Sequence, residues 1–142
     1  MSPDLPSQAQ PIRILVADDF EPWRAWVRTV FSARDQFQIV GEVSNGLDAV
    51  RKAHELKPEL VLLDINLPDL DGLEVSRRVL RTAPKTKIVY VTTNTDPELV
   101  EVAMSNGVLG YVLKHEAVND LLRAIQSALR GETFISSQLR HY

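Results

Sequence analysis

The chain has 142 residues, of which 44% are hydrophobic and 25% are charged, and its formal net charge is −3. This length corresponds to one domain with enough apolar mass for a core. The negative charge argues against nucleic-acid binding by these residues alone. The lack of cysteine excludes a disulfide framework and a zinc–thiolate site, which suits a reducing cytoplasm. No apolar run approaches the ~18 residues that span a bilayer, and no signal peptide is recognisable, so we expect no membrane partner.

The chain divides into a short tail and one domain. Residues 1–11 contain three prolines and few apolar side chains, so we predict a disordered tail. From residue 12 to residue 131, short apolar runs alternate with longer amphipathic stretches. This alternation predicts a single domain with strands and helices in turn.

Five strands and five helices are predicted along this domain. The predicted strands, in chain order, are Ile12–Ala17, Phe37–Val43, Glu59–Leu63, Lys87–Val91 and Val108–Leu113. A helix is predicted after each strand; the first begins near Pro22, the fourth begins near Pro97, and the last runs from about Glu116 to Arg130. Strands this apolar, each followed by a helix, indicate a parallel sheet covered on both faces. We therefore predict a doubly wound, flavodoxin-like α/β fold of five βα units with strand order 2-1-3-4-5.

Acidic residues follow two strands that are neighbours in this order. Asp18 and Asp19 come directly after the first strand, and Asp64 follows the third. Ligands of doubly wound sheets bind beyond the carboxyl ends of the strands where the strand order reverses, so the three carboxylates should converge there. Like charges at one place need a neutralising partner. Oxygen ligands without cysteine or a nearby histidine favour Mg²⁺.

A hydroxyl and a cation are expected at the same edge of the sheet. Thr92 ends the fourth strand and Lys114 follows the fifth. A hydroxyl and an ammonium group beside a carboxylate-bound metal suit a phosphoryl group that is attacked by a carboxylate. Singly, each residue also has a structural explanation: a helix cap for Asp18 and Asp19, a turn carboxylate for Asp64, a β-branched strand residue or a solvated charge for the others. Their joint placement at strand ends favours the functional interpretation.

Four sequence pieces give this constellation a family resemblance. The pieces ILVADD, LVLLDINLPDLDG, IVYVTT and GYVLK occur in this order between about Ile12 and Arg130. Together they resemble the receiver domain of two-component response regulators. The resemblance implies that Asp64 accepts the phosphoryl group, that Asp19 binds Mg²⁺ directly, and that Asp18 acts on the metal through water.

The same resemblance implies further roles and partners. Asn66 would offer its backbone carbonyl to the metal, Thr92 would be the switch hydroxyl, Lys114 would pair with the phosphoryl group, and Tyr111 would be the aromatic residue that repacks inward. A sensor histidine kinase would be the phosphodonor, and phosphorylation would drive homodimerisation. The chain would be no enzyme beyond accepting its own phosphoryl group and slowly losing it.

The C-terminal residues suggest the subclass. GETFISS, after the last predicted helix, resembles the stretch that opens the linker of NarL/FixJ (LuxR-type) regulators. Residues 132–142 would then begin a linker to a helix-turn-helix domain outside this chain, with Ser136 or Ser137 capping a linker helix. DNA would be contacted only through that domain. A stand-alone receiver and an unphosphorylated pseudo-receiver interaction module are the alternatives; a hydrolase of the haloacid dehalogenase type is disfavoured because Asn66 stands where its second aspartate would be.

Three features depart from the usual receiver pattern. Thr93 follows the switch threonine where Ala or Gly is commoner, which narrows access to the phosphoryl group. His115 replaces the usual proline after Lys114. Trp23 and Trp26 give the first helix unusual bulk, and an exposed indole there would mark a partner surface. The chain's three histidines are interpreted as surface residues: His54, His115 and His141.

Overall fold

The computed structural model describes residues 10–139. Most of the predicted disordered tail, residues 1–9, lies outside the described residues. The same is true of residues 140–142, which end the predicted linker and include His141. No helix in the described part of the chain is long and apolar enough to cross a membrane.

Six strands and five α-helices form the described part of the chain. The strands are β1 (Ile12–Ala17), β2 (Phe37–Val43), β3 (Leu60–Leu63), β4 (Lys87–Thr92), β5 (Gly110–Leu113) and β6 (Phe134–Ile135). The helices are α1 (Glu21–Ser32), α2 (Gly46–Leu56), α3 (Gly72–Thr82), α4 (Pro97–Met104) and α5 (Ala117–Leu129). Short 3₁₀ turns at Lys114–Glu116 and Ser137–Leu139 flank the last helix and the last strand.

All strand pairs are parallel, and the sheet order is β2-β1-β3-β4-β5-β6. The predicted parallel α/β sheet is therefore confirmed, and its order 2-1-3-4-5 is present within a longer sheet. The predicted count of five strands is wrong, because Phe134–Ile135 adds a sixth strand beside β5. This strand lies in the segment predicted to be a linker. A strand of two residues is too short to show the alternation of apolar and polar residues by which strands are predicted.

The helices cover both faces of the sheet. Alternate strand residues point to opposite faces: in β1, Leu15 and Ala17 belong to one core cluster, and Ile14 and Val16 belong to the other. Helices α2, α3 and α4 pack on the first face, while α1 and α5 pack on the second. Both faces of the central strands are thus buried, which leaves the strand ends as the place for a polar site.

The sixth strand donates backbone hydrogen bonds to carbonyl groups along the outer edge of β5. The backbone N–H of Phe134 donates to Leu109 O at 2.9 Å, and that of Ser136 donates to Tyr111 O at 3.0 Å. The Ser136 side chain is fully buried, and its hydroxyl oxygen accepts a hydrogen bond from the Leu113 N–H at 3.0 Å. Ser136, one of the two serines predicted to cap a linker helix, therefore fixes the end of β5, one residue before Lys114.

Replacing Ser136 by Ala is expected to lower the free energy of unfolding by about 1–3 kcal/mol, because the buried Leu113 N–H loses its acceptor. Ser137→Ala is the matched control: Ser137 is exposed, and its truncation should change stability by no more than about 0.5 kcal/mol. Urea unfolding followed by circular dichroism measures both. Equal effects of the two substitutions would contradict a structural role for the Ser136 hydroxyl.

Candidate functional site

The carboxyl ends of four strands meet at one edge of the sheet. The ends of β1 and β3 are level, since Ala17 pairs with Leu63, and the ends of β4 and β5 are level, since Thr92 pairs with Leu113. The residues that follow these strands therefore lie side by side. The Asp64 N–H donates to Ala17 O at 3.0 Å, which ties the start of the loop after β3 to β1.

Three carboxylates converge at this edge. One oxygen from each of Asp18, Asp19 and Asp64 lies within 4.8 Å of the others. Asp18 and Asp64 are buried, whereas Asp19 is exposed. Backbone N–H groups hold the two buried side chains: Phe20 donates to Asp18 Oδ1 at 2.9 Å, and Asn66 donates to Asp64 Oδ1 at 3.1 Å. The second oxygen of each buried carboxylate is left for another partner.

That partner is Lys114. Its ammonium lies 2.7 Å from Asp18 Oδ2 and 3.3 Å from Asp64 Oδ2, so one cation bridges both buried carboxylates. Burial raises the pKa of Asp18 above its ordinary value, because the nearby Lys114 ammonium and the hydrogen bond from the Phe20 N–H only partly offset the loss of hydration. The Trp23 ring packs beside the cation, with Lys114 Nζ 5.3 Å from the ring centroid.

The donor set fits a hard divalent cation. All three acidic side chains offer oxygen, and Asp18 Oδ2 is a buried acceptor that makes no hydrogen bond of regular geometry, although the ammonium of Lys114 is close. Such an oxygen is available to a metal ion, and carboxylate ligands with an open, partly exposed side suit Mg²⁺. The Asn66 carbonyl stays a predicted ligand; its residue is exposed in the loop after β3.

Thr92 and Tyr111 are joined through Asn94. Thr92 is fully buried, and its hydroxyl oxygen accepts a hydrogen bond from the Asn94 N–H at 3.3 Å. The Tyr111 hydroxyl donates to Asn94 O at 2.8 Å. Burial raises the pKa of Tyr111, and the nearby charges of Asp64 and Asp96 raise it further, so the hydroxyl remains a donor. The Tyr111 ring is buried in this structure, and its role as the switch aromatic stays a prediction.

Comparison with known proteins identifies the architecture. A model of the response regulator receiver domain matches residues 14–126. The chain belongs to this family. It is 34% identical over 129 residues to the response regulator protein VraR of Staphylococcus saprophyticus, covering 91% of this chain and 62% of that protein. It is also 34% identical over 128 residues to the response regulator GacA of Pseudomonas protegens, covering 90% and 60%.

A solved structure agrees with this assignment. The crystal structure of a LuxR-family two-component response regulator from Aurantimonas sp. superposes with a TM-score of 0.87 at 26% identity, covering 92% of this chain and 94% of that one. The chain is thus a receiver domain of a LuxR-family response regulator, as the sequence predicted. It spans about 60% of the length of the curated relatives it matches.

Two features of this site were not predicted from the sequence. A Cβ atom at Gly72 would lie 2.3 Å from the carbonyl oxygen of Asp64, so only glycine lets α3 start this close to the loop after β3. The adjacent Asp-Gly in the family motif was the signal that could have indicated this. Trp23 was recognised for its bulk, but helical spacing gives no indication that its ring faces Lys114.

The described histidines lie outside the carboxylate cluster. His54 is exposed on α2, and His115 is exposed after β5, with Nε2 2.7 Å from Gln138 Oε1. The site is built from carboxylates, one ammonium and one hydroxyl.

Replacing Lys114 by Met should lower the free energy of unfolding in metal-free buffer by about 1–3 kcal/mol, because Asp18 and Asp64 lose their shared charged donor. Saturating Mg²⁺ should restore part of this loss, since a cation that binds only the folded state stabilises it. Urea unfolding with chelator and with Mg²⁺ measures both effects.

The matched control is Lys52→Met. The Lys52 ammonium pairs with Glu55 at 3.3 Å on the surface of α2, where an ion pair contributes at most about 1 kcal/mol. A loss as small for Lys114→Met as for this control would contradict the central role of the Lys114 ion pairs.

Proposed function

We propose that this receiver domain accepts a phosphoryl group on Asp64 from a sensor histidine kinase in the cytoplasm and thereby switches the output of a response regulator. The observation that carries the proposal is the Lys114 ammonium, which lies between a buried carboxylate of the acidic cluster and Asp64. This arrangement suits a carboxylate nucleophile whose product gains negative charge.

The chain's own groups divide the work of phosphoryl acceptance. Asp64 Oδ2 forms the bond to phosphorus while the bond to the leaving group breaks and its electron pair departs with that group. Lys114 neutralises a phosphoryl oxygen, because its ammonium is already 3.3 Å from Asp64 Oδ2. Asp18, Asp19, Asp64 and the Asn66 carbonyl would hold Mg²⁺, which supplies further positive charge to the phosphoryl oxygens when bound.

The switch operates through Asn94. When the Thr92 hydroxyl turns to donate to the phosphoryl group, the Asn94 N–H loses its acceptor. The Asn94 carbonyl holds the Tyr111 hydroxyl, and the Asn94 side chain accepts from the Asp96 N–H at 2.9 Å. Asp96 caps α4, so the change at Thr92 reaches both the start of α4 and the aromatic residue of β5.

The partner surface that we assign to the kinase or to a second copy lies on α1 and α5. Val118 is 80% exposed on α5, and Trp26 is half-buried on α1 next to it, in a shallow groove between the two helices. Exposed apolar groups of this kind mark protein contacts.

We further propose that the phosphorylated receiver forms a homodimer and acts on DNA through a helix-turn-helix output domain outside this chain, in line with the relatives' greater length.

Asp64→Asn should abolish Mg²⁺-dependent phosphate incorporation from acetyl phosphate, because the amide cannot act as the nucleophile. Intact-mass spectrometry detects the added phosphoryl group. Asp35→Asn is the matched control. Asp35 is exposed in the turn before β2, at the amino ends of the strands and away from the acidic cluster, so this variant should be labelled like the wild type.

Labelling of the Asp64→Asn variant would contradict the assignment of the phosphoacceptor. A wild-type chain that is not labelled and binds neither Mg²⁺ nor beryllofluoride would support the pseudo-receiver alternative instead.

A further inference from the structure

The first turn of α2 is bonded to the loop after β3, residues 64–71. A helix leaves its first backbone N–H groups without partners inside the helix. In α2, the Gly46 N–H donates to Pro68 O at 3.1 Å, and the Leu47 N–H donates to Asp69 Oδ1 at 3.0 Å. The loop that carries the phosphoacceptor therefore supplies two of the acceptors that the start of α2 needs.

Asp69 and Gly46 have the properties that this contact requires. The φ of Asp69 is 61°, a left-handed conformation that Asp and Asn adopt more readily than other residues with a Cβ atom. A Cβ atom at Gly46 would overlap the carbonyl oxygen of Leu70, so the helix and the loop approach this closely only because the helix begins with glycine. A side chain at Gly46 would push the loop away from α2.

The same loop carries the two groups that are expected to bind the metal ion from this side, the Asp64 carboxylate and the Asn66 carbonyl. Its beginning is fixed to the sheet, because the Asp64 N–H donates to Ala17 O at 3.0 Å. Asn66 is exposed and lies three residues before Asp69, so the position of its carbonyl depends on how the loop is held beyond it. The contact of Asp69 with α2 holds it there.

We propose that Asp69 is a positioning residue for Mg²⁺ binding. By accepting from the Leu47 N–H, its carboxylate ties the loop after β3 to α2 and keeps the Asn66 carbonyl in place for the ion. The inference rests on the proposed function, because it takes that carbonyl as a metal ligand. Replacing a residue that orients a metal ligand lowers metal affinity by about 10–100-fold, and the lower end applies here because Asp69 acts through the backbone.

The test measures the Mg²⁺ dissociation constant of the full chain by fluorescence titration. Trp23 reports on the site, since its ring centroid lies 5.3 Å from Lys114 Nζ. Asp69→Gly keeps the left-handed backbone without steric cost but loses the acceptor, so it should raise the dissociation constant about tenfold. Asp69→Asn keeps an oxygen acceptor in the same conformation and should stay within about twofold of the wild type. Both substitutions remove the charge, so their difference reports the hydrogen bond.

Asp71→Ala is the matched control. Asp71 is an exposed carboxylate of the same loop, but it caps α3, with Oδ1 accepting from the Glu74 N–H at 3.0 Å. Its removal should leave the Mg²⁺ dissociation constant unchanged. Hydrogen exchange followed by NMR gives a readout without metal: the Leu47 N–H should exchange about tenfold faster in Asp69→Gly than in Asp69→Asn, because it has lost its acceptor.

Circular dichroism checks folding, and Asp69→Ala is a second variant without the acceptor if Asp69→Gly does not fold. Equal dissociation constants for the glycine and asparagine variants of Asp69, or an equal rise in Asp71→Ala, would overturn the inference while labelling of Asp64 still supports the phosphoacceptor assignment. A wild type that binds Mg²⁺ but is not labelled by acetyl phosphate would overturn the proposed function alone. A wild type that does not bind Mg²⁺ would overturn the inference and the metal site together.

Discussion

The position of one ammonium group controls the chemistry of this domain. Asp18 and Asp64 are both buried, and Lys114 lies 2.7 Å and 3.3 Å from their oxygens. Two unit charges ~4 Å apart attract each other by about 4 kcal/mol at an effective dielectric constant of 20, and the loss of hydration on burial offsets part of this attraction. The ends of β1, β3 and β5 must therefore stay level, because a shift of one residue would separate the cation from a carboxylate and leave a buried charge without a partner.

Much of the scaffold could be predicted because a parallel sheet is a strong constraint. Apolar runs identified the first five strands, and parallel strands bring their carboxyl ends to one edge, so the residues after those strands had to meet there. Asp18, Asp64 and Lys114 are found together for this reason. The sixth strand was missed because it forms through contacts with β5, more than 20 residues earlier in the chain. Backbone hydrogen bonds join it to the edge of β5, and the Ser136 hydroxyl, next to it in the chain, accepts from the Leu113 N–H.

The sequence pattern also did not indicate which neighbours each side chain would contact. Apolar spacing placed Trp23 on a helix, but its position beside Lys114 depends on how closely the first turn of α1 follows Asp18. The apolar run placed Tyr111 on a strand, but the hydrogen bond from its hydroxyl to the Asn94 carbonyl depends on the loop after β4. Both positions are set by tertiary contacts near the strand ends, and the periodic spacing of apolar residues does not indicate such contacts.

The surroundings of Lys114 explain how a buried ion pair can remain accessible to a ligand. On the α1 side, the Trp23 ring packs beside the ammonium, with its centroid 5.3 Å from Lys114 Nζ, and burial raises the pKa of Asp18. On the other side, Asp19 and Asn66 are exposed, so the carboxylates remain accessible to a hydrated cation. A site closed on all sides would admit no ligand. In a fully open site, water and salt would screen the attraction between the ammonium and the carboxylates. The observed asymmetry gives the acidic cluster one solvated side, which a hydrated cation can reach, and one aromatic side, where the Trp23 ring lies against the Lys114 ammonium.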